Sequence, residues 1–141
     1  MEFLNEKGVT INAVIYESFD KTNDNDKTLF NIAKKFGITY ITNNELESIL
    51  DKSNKIQKGI FNNVDLIISY LYPKKIGEKL MKLSKMGCIN FHPAPLPEFR
   101  GVNPYSFGIL EDFPYWGVTA HFIDKEFDTG DIIKVKKWML I

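Results

Sequence analysis

The chain has 141 residues with 44% hydrophobic and 13% aromatic content, enough to bury the core of one ordinary domain. Lys plus Arg balance Asp plus Glu at 18 each, so there is no global positive field of the kind that drives nonspecific phosphate binding, which argues against a dedicated nucleic-acid binder. The single cysteine, Cys88, excludes an internal disulfide. No apolar run approaches the roughly 20 residues that span a bilayer, and the N-terminus lacks the regions of a signal peptide, so a cytoplasmic location without a membrane partner is expected.

Strand and helix patterns alternate from Ile11 onward, which predicts an α/β fold with an open, mostly parallel sheet. Residues 11–16 (INAVIY) read as a strand, and the Asn- and Asp-rich loop 20–26 supplies turn and cap residues. In 27–36, Leu29, Ile32, Ala33 and Phe36 fall at i, i+3, i+4 and i+7, which predicts an amphipathic helix stopped by Gly37. Residues 38–41 read as the next strand. Asn43 or Asn44 can cap a short helix carrying Leu46, Ile49 and Leu50. A polar stretch, 51–63, leads to a strand at 64–70 (VDLIISY). Its nearly continuous apolar content suits a central parallel strand covered on both faces. Residues 74–85 predict a helix with Ile76, Leu80 and Leu83 on one face. Its five lysines fit a solvated face, with an anionic acceptor as the alternative.

Residues 87–91 (GCINF) form a short strand that enters the proline-rich loop 92–101 (HPAPLPEFRG). Prolines fix φ and remove donors, so this loop is stiff, and the ends of parallel strands are where such folds place their sites. Asn103 and Pro104 fit the N-cap and first position of a helix through Leu110. Val118, Ala120 and Phe122 alternate on one side of a strand at 116–123. An acidic loop, 124–131 (DKEFDTGD), then leads to a final strand at 132–141.

Asn90, His92 and Asp128 sit at or beyond the ends of two predicted strands. Together they supply the roles acyl transfer requires: an amide N–H for a developing oxyanion, an imidazole to take a proton from the nucleophile, and a carboxylate to orient that imidazole. Each also has a structural reading. His92 alone fits a satisfied histidine, Asn90 a strand-end residue serving backbone groups, and Asp128 a turn residue beside Thr129 and Gly130. His121, on the side of its strand opposite Val118, Ala120 and Phe122, reads as structural, and Cys88 as a small buried hydrophobe. Arg100 either meets an acceptor carboxylate or phosphate or caps its loop. Two histidines 29 positions apart and one cysteine give no metal-ligand spacing, so no metal is expected.

The stretch from Asn90 to Arg100 (NFHPAPLPEFR), with Asp128 standing 36 positions after His92 in FDTGD, resembles the folate-dependent formyltransferase family. The shared pattern is Asn90, His92 and Pro93, then Leu96, Pro97 and Gly101, a strand from Gly117, and Asp128 with Gly130. The resemblance is strongest from Cys88 to Ile133 and weak before Val64. It implies that residues 1–141 are part of a formyltransferase catalytic domain, with a Rossmann-like sheet and helices on both faces. It also implies 10-formyltetrahydrofolate as formyl donor and a small-molecule amine as acceptor. Asn90 would bond the formyl oxygen, His92 would handle the proton of the amine, and Asp128 would pair with His92 and position water or the amine. The pteridine would lie between Tyr70, Leu71 and Tyr72 on one side and Ile123, Asp124 and Phe127 on the other, with core packing as the competing reading for both tyrosines.

In the same comparison, Met1 to Lys7 (MEFLNEK) matches the family's first helix, with the preceding strand missing. A sheet lacking that strand favours self-association into a homo-oligomer. The wording of 91–97 and the strand from Gly117 are most similar to the branch that acts on nucleotide-linked amino sugars. The alternatives are methionyl-tRNA formylation, whose tRNA would want a basic C-terminal module, glycinamide ribonucleotide formylation, hydrolysis of 10-formyltetrahydrofolate, and a folate-binding copy with weak turnover.

Overall fold

A computed structural model describes Leu4 and residues 6–16, 24–51 and 59–140. The predicted loop at 20–26, the polar stretch 51–63 and the helix matched to 1–7 fall partly outside these residues. Within the last, Leu4 and Glu6 are helical. Composition suggests one domain, and the chain gathers into two compact units, Met1–Val64 and Asp65–Ile141.

In the first unit, β1 (Ala13–Tyr16) and β2 (Thr39–Thr42) pair in parallel, with Ala13 opposite Thr39. Parallel neighbours need a crossover, and α1 (Asp24–Lys35) supplies it. Its predicted stripe turns inward at Ala33, which is fully buried, and the Phe30 and Tyr40 rings meet edge-on at 5.6 Å. Gly37 ends the helix as expected. It takes φ +65°, and the next N–H, that of Ile38, reaches back to the Ala33 carbonyl at 2.9 Å, closing the last turn. The start of α2 (Asn43–Asp51) corrects the expected cap. The Thr42 hydroxyl accepts from the Glu45 N–H at 3.3 Å, while the Glu45 carboxylate accepts from the Thr42 N–H at 2.8 Å. This reciprocal box satisfies two orphan donors at once, and Asn43 is buried instead.

The second unit is a four-stranded sheet in the order β3-β4-β5-β6. β3 (Ile67–Tyr70) runs parallel to β4 (Cys88–His92), whereas β5 (Tyr115–Phe122) and β6 (Ile132–Met139) join antiparallel. Among the described residues β3 is an end strand of this sheet, and its Ile68 and Tyr70 are exposed, where composition suggested a central strand covered on both faces. The helix predicted over 74–85 shortens to α3 (Glu78–Met81). Gly77 stands ahead of it in an extended conformation and offers no capping side chain, which explains the late start. Ile76 and Leu80 are buried as the stripe required.

Between β4 and β5 the chain passes through the proline loop and α4 (Pro104–Leu110). Asn103 occupies the N-cap position with φ +59° and makes no side-chain capping bond, so only Pro104 acts as predicted. Ala94, Phe99 and Trp116 form a core with Phe113 against it. The Trp116 indole fills the space that a side chain at Gly108 would need, which brings α4 down on β5. Among the described residues no helix is long and apolar enough to cross a membrane.

Candidate active site

Side chains two apart on a strand share a face, so Asn90 and His92 of β4 point the same way. The antiparallel register sets His121 directly opposite Asn90 and Thr119 opposite His92. Four polar side chains therefore gather on one face of two neighbouring strands. Three of them are deeply buried, His92 at 4%, His121 at 2% and Thr119 at 0% exposure, a situation tolerable only with hydrogen-bond partners.

The proline loop supplies those partners. The Thr119 hydroxyl donates to the Ala94 carbonyl at 2.7 Å and accepts from the Leu96 N–H at 2.9 Å. Trp116 Nε1 donates to the Pro93 carbonyl at 2.9 Å, so the loop is pinned to β5 at three points. The pinned loop bends back, and the Phe99 carbonyl accepts a 2.7 Å bond from His92 Nε2.

Asp128 arrives from the acidic loop. That loop is closed at its base by bonds from the Phe122 N–H to the Asp131 carbonyl and from the Ile123 N–H to the Cys88 carbonyl. Gly130 packs so tightly on the Phe122 carbonyl that any side chain there would overlap it. Asp128 itself takes φ +54°, a left-handed conformation that Asp tolerates better than most residues. One carboxylate oxygen, Oδ2, accepts from the Gly101 N–H at 2.9 Å and lies 3.5 Å from His92 Nδ1. The other, Oδ1, lies 3.4 Å from His121 Nε2, and the same nitrogen lies 3.3 Å from Asn90 Nδ2.

Carbonyl oxygens only accept, so the ring nitrogens that face them carry hydrogen. His92 thus donates through Nε2 to Phe99, and His121 donates through Nδ1 to the Phe122 carbonyl at 2.8 Å. A neutral His92 then turns a bare Nδ1 toward Asp128, and this contact becomes attractive when that nitrogen gains a proton.

This polar cluster opens on a cleft of about 310 Å³, lined among others by Ser69, Leu71, Tyr72, Lys75, Asn103, Ile123, Asp124 and Phe127.

The pattern of the formyl transferase family matches residues 4–141. The chain belongs to that family. It is 30% identical over 142 residues to a methionyl-tRNA formyltransferase of Halothermothrix orenii, a match covering 94% of this chain and 42% of that protein. The chain therefore spans less than half the length of that curated relative. Among solved structures, the phosphoribosylglycinamide formyltransferase of Streptococcus pneumoniae shares the fold with a TM-score of 0.72 at 22% identity, covering 98% of this chain and 74% of that one. The formyltransferase PseJ of Anoxybacillus kamchatkensis is 31% identical, with a TM-score of 0.54, over 90% of this chain and 60% of that one.

Of the positions singled out in the sequence of this formyl transferase domain, Asn90, His92 and Asp128 are brought together. Leu71, Tyr72, Ile123, Asp124 and Phe127 line the cleft. Tyr70 and Arg100 do not: both are exposed and neither is among the lining residues. On β3 the alternation turns Ser69 inward, buried at 8%, and Tyr70 outward. Asp124 is occupied locally. Its carboxylate accepts from the Thr129 hydroxyl at 2.6 Å and from the Glu126 N–H at 3.1 Å, and the Thr129 bond first of all holds it below the usual carboxylate range. Both bonds stay within the loop that carries Asp128, and Asp124 still lines the cleft. Two further residues line the cleft, one read in the sequence as structural and the other as part of a solvated lysine face. His121 had a signal, its place off the apolar side of its strand. Lys75, whose Nζ lies 5.4 Å over the Phe127 ring at the mouth, had none beyond being one of five lysines.

Proposed function

We propose that this domain transfers a formyl group from 10-formyltetrahydrofolate to a primary amine, with the amine of a nucleotide-linked amino sugar as acceptor. The observation that carries the reading is the linked set Asn90, His121, Asp128 and His92 at the base of the cleft. The amine nitrogen attacks the formyl carbon, a new C–N bond forms, and the carbonyl electron pair moves to oxygen. Asn90 Nδ2 donates to that oxyanion. The amine proton passes to the edge shared by His92 Nδ1 and Asp128, since His92 Nε2 is committed to the Phe99 carbonyl. Collapse of the tetrahedral intermediate breaks the bond to N10 of the folate, which takes the proton back and leaves as tetrahydrofolate.

The donor and the sugar acceptor are supported by PseJ, whose structure is described as a complex with a UDP-linked formamido sugar and tetrahydrofolate. A second reading, methionyl-tRNA as acceptor, is favoured by the Halothermothrix orenii protein, similar over 94% of this chain. The leading pteridine contacts are Leu71 and Tyr72 across from Ile123 and Phe127.

The test is release of tetrahydrofolate from 10-formyltetrahydrofolate by the purified protein, alone, with UDP- and dTDP-linked amino sugars, and with initiator methionyl-tRNA. Sugar-dependent release supports the leading reading, and tRNA-dependent release replaces it with the second. Release without any acceptor makes the protein a hydrolase, and no release in any arm refutes the catalytic reading.

A further inference from the structure

His121 Nε2 stands at a branch. It lies 3.3 Å from a donor, Asn90 Nδ2, and 3.4 Å from an acceptor, Asp128 Oδ1. One nitrogen cannot serve both in one state. With Nδ1–H given to the Phe122 carbonyl, a neutral His121 offers a lone pair at Nε2 and accepts from Asn90. A protonated His121 has a hydrogen there and turns to Asp128, and the Asn90 N–H then meets another donor. An Asn side chain can rotate its amide end for end, so whichever group faces it decides whether nitrogen or oxygen looks that way.

We propose that His121 is a positioning residue whose neutral ring holds the Asn90 amide with its nitrogen toward the strand partner, leaving the second N–H of that nitrogen aimed at the formyl oxygen. Protonation of His121 removes the lone pair, lets the amide turn, and withdraws the oxyanion donor. The inference rests on Asn90 acting on the formyl oxygen, as proposed above. The groups that bear on His121 are few. From the acidic loop come Asp128, in contact, and Asp124, which senses the His121 charge. From β4 comes Asn90, and the β6 residue paired with His121 is the uncharged Ile132. His92 reaches it only through the other oxygen of Asp128.

The role makes His121 answerable for an acid limb in the rate. The experiment measures kcat/KM against pH, with 10-formyltetrahydrofolate and whichever acceptor supports tetrahydrofolate release, for wild type, Asn90→Ala, His121→Phe, their double variant and His121→Gln. Phe keeps a ring without an acceptor, whereas the Gln side-chain oxygen reaches the place of Nε2 and does not titrate. Asn90→Ala and His121→Phe should each lose about 10²-fold, the usual effect of removing one oxyanion donor, and the double variant no more than either alone, because both remove one interaction. His121→Gln should recover most of the His121→Phe loss and show a flattened acid limb. In ¹⁵N spectra the Asn90 side-chain amide should shift with pH in wild type and stay constant in His121→Gln, a readout independent of turnover and of whether His121→Phe folds.

An impaired Asn90→Ala beside an unimpaired His121→Phe, fully multiplying losses in the double variant, or an unchanged acid limb in His121→Gln each overturn the role of His121 alone. An unimpaired Asn90→Ala overturns the Asn90 assignment beneath it.

Discussion

Asp128→Asn is the most direct perturbation of the proposed proton path, because it removes a charge and leaves the shape. In the protein, one carboxylate oxygen is held by the Gly101 N–H at 2.9 Å and faces His92 Nδ1 at 3.5 Å. An amide at the same place keeps an oxygen for Gly101 and turns its NH₂ toward His121 Nε2, sharing that lone pair with Asn90, so folding should survive. What disappears is the attraction for an imidazolium on His92. At 3.5 Å and an effective dielectric of about 20, two unit charges attract by about 5 kcal/mol. At about 1.4 kcal/mol per tenfold in rate this caps the effect near 10³ to 10⁴, and the partial exposure of Asp128 and its Gly101 bond bring the expectation down to about 10² to 10³ in kcat. Single-turnover release of tetrahydrofolate isolates the chemical step, and the melting temperature should move by no more than about 2 °C, since no buried donor loses its partner. A variant that folds, binds folate and keeps its rate within about threefold would refute the His92–Asp128 pair as the proton acceptor.

Three further outcomes test how the scaffold holds this arrangement. Gly130→Ala should cost about 1–3 kcal/mol by thermal or chemical denaturation, because its Cβ overlaps the Phe122 carbonyl, and turnover should fall further than stability as the Asp128 loop is displaced. Thr119→Val strands the Leu96 N–H and the Ala94 carbonyl. It should cost about 2–4 kcal/mol in urea unfolding, the loss expected when buried partners go unpaired; a loss below about 0.5 kcal/mol would mean the loop is held elsewhere. Cys88 is 2% exposed, and burial pushes its thiol up from the ordinary range. Less thiolate is present at pH 8 than in a free thiol, so iodoacetamide should label Cys88 only after the protein is unfolded.

The part of this site that could be read from sequence is the part that depends on local geometry. Asn90 and His92 share a face because they are two apart on a strand, and the apolar stretch before them marks the strand. The stiffness of the loop that follows is written in its prolines. Asp128 is different. Nothing in DKEFDTGD distinguishes a catalytic carboxylate from a turn residue, and only resemblance to a family joined it to His92. The misread helix at 74–85 had a legible stripe, and Ile76 and Leu80 are buried as it required. Extended backbone at Gly77 delays the start of the helix to Glu78. At Thr42 the box with Glu45 is written in four letters, TNNE, but the two asparagines inside it are equally good caps by residue type.

His121 marks where local reading ends. Its strand was recognised and its side of that strand was stated correctly, yet a side means nothing until the neighbour across it is known. That knowledge depends on β5 running antiparallel to β4 in the one register that places residue 121 against residue 90. A slip of one residue would turn His121 to the other face and put Ala120 or Phe122 against the Asn90 amide. The register is therefore part of what assembles the polar cluster, and it is fixed outside the cleft. Thr119 bonds the proline loop on both sides of Pro95, Trp116 bonds its beginning, and the Gly130 contact seals the loop beyond. Each of these contacts excludes the neighbouring register, because the one donor or the one glycine that makes it would be a residue out of place.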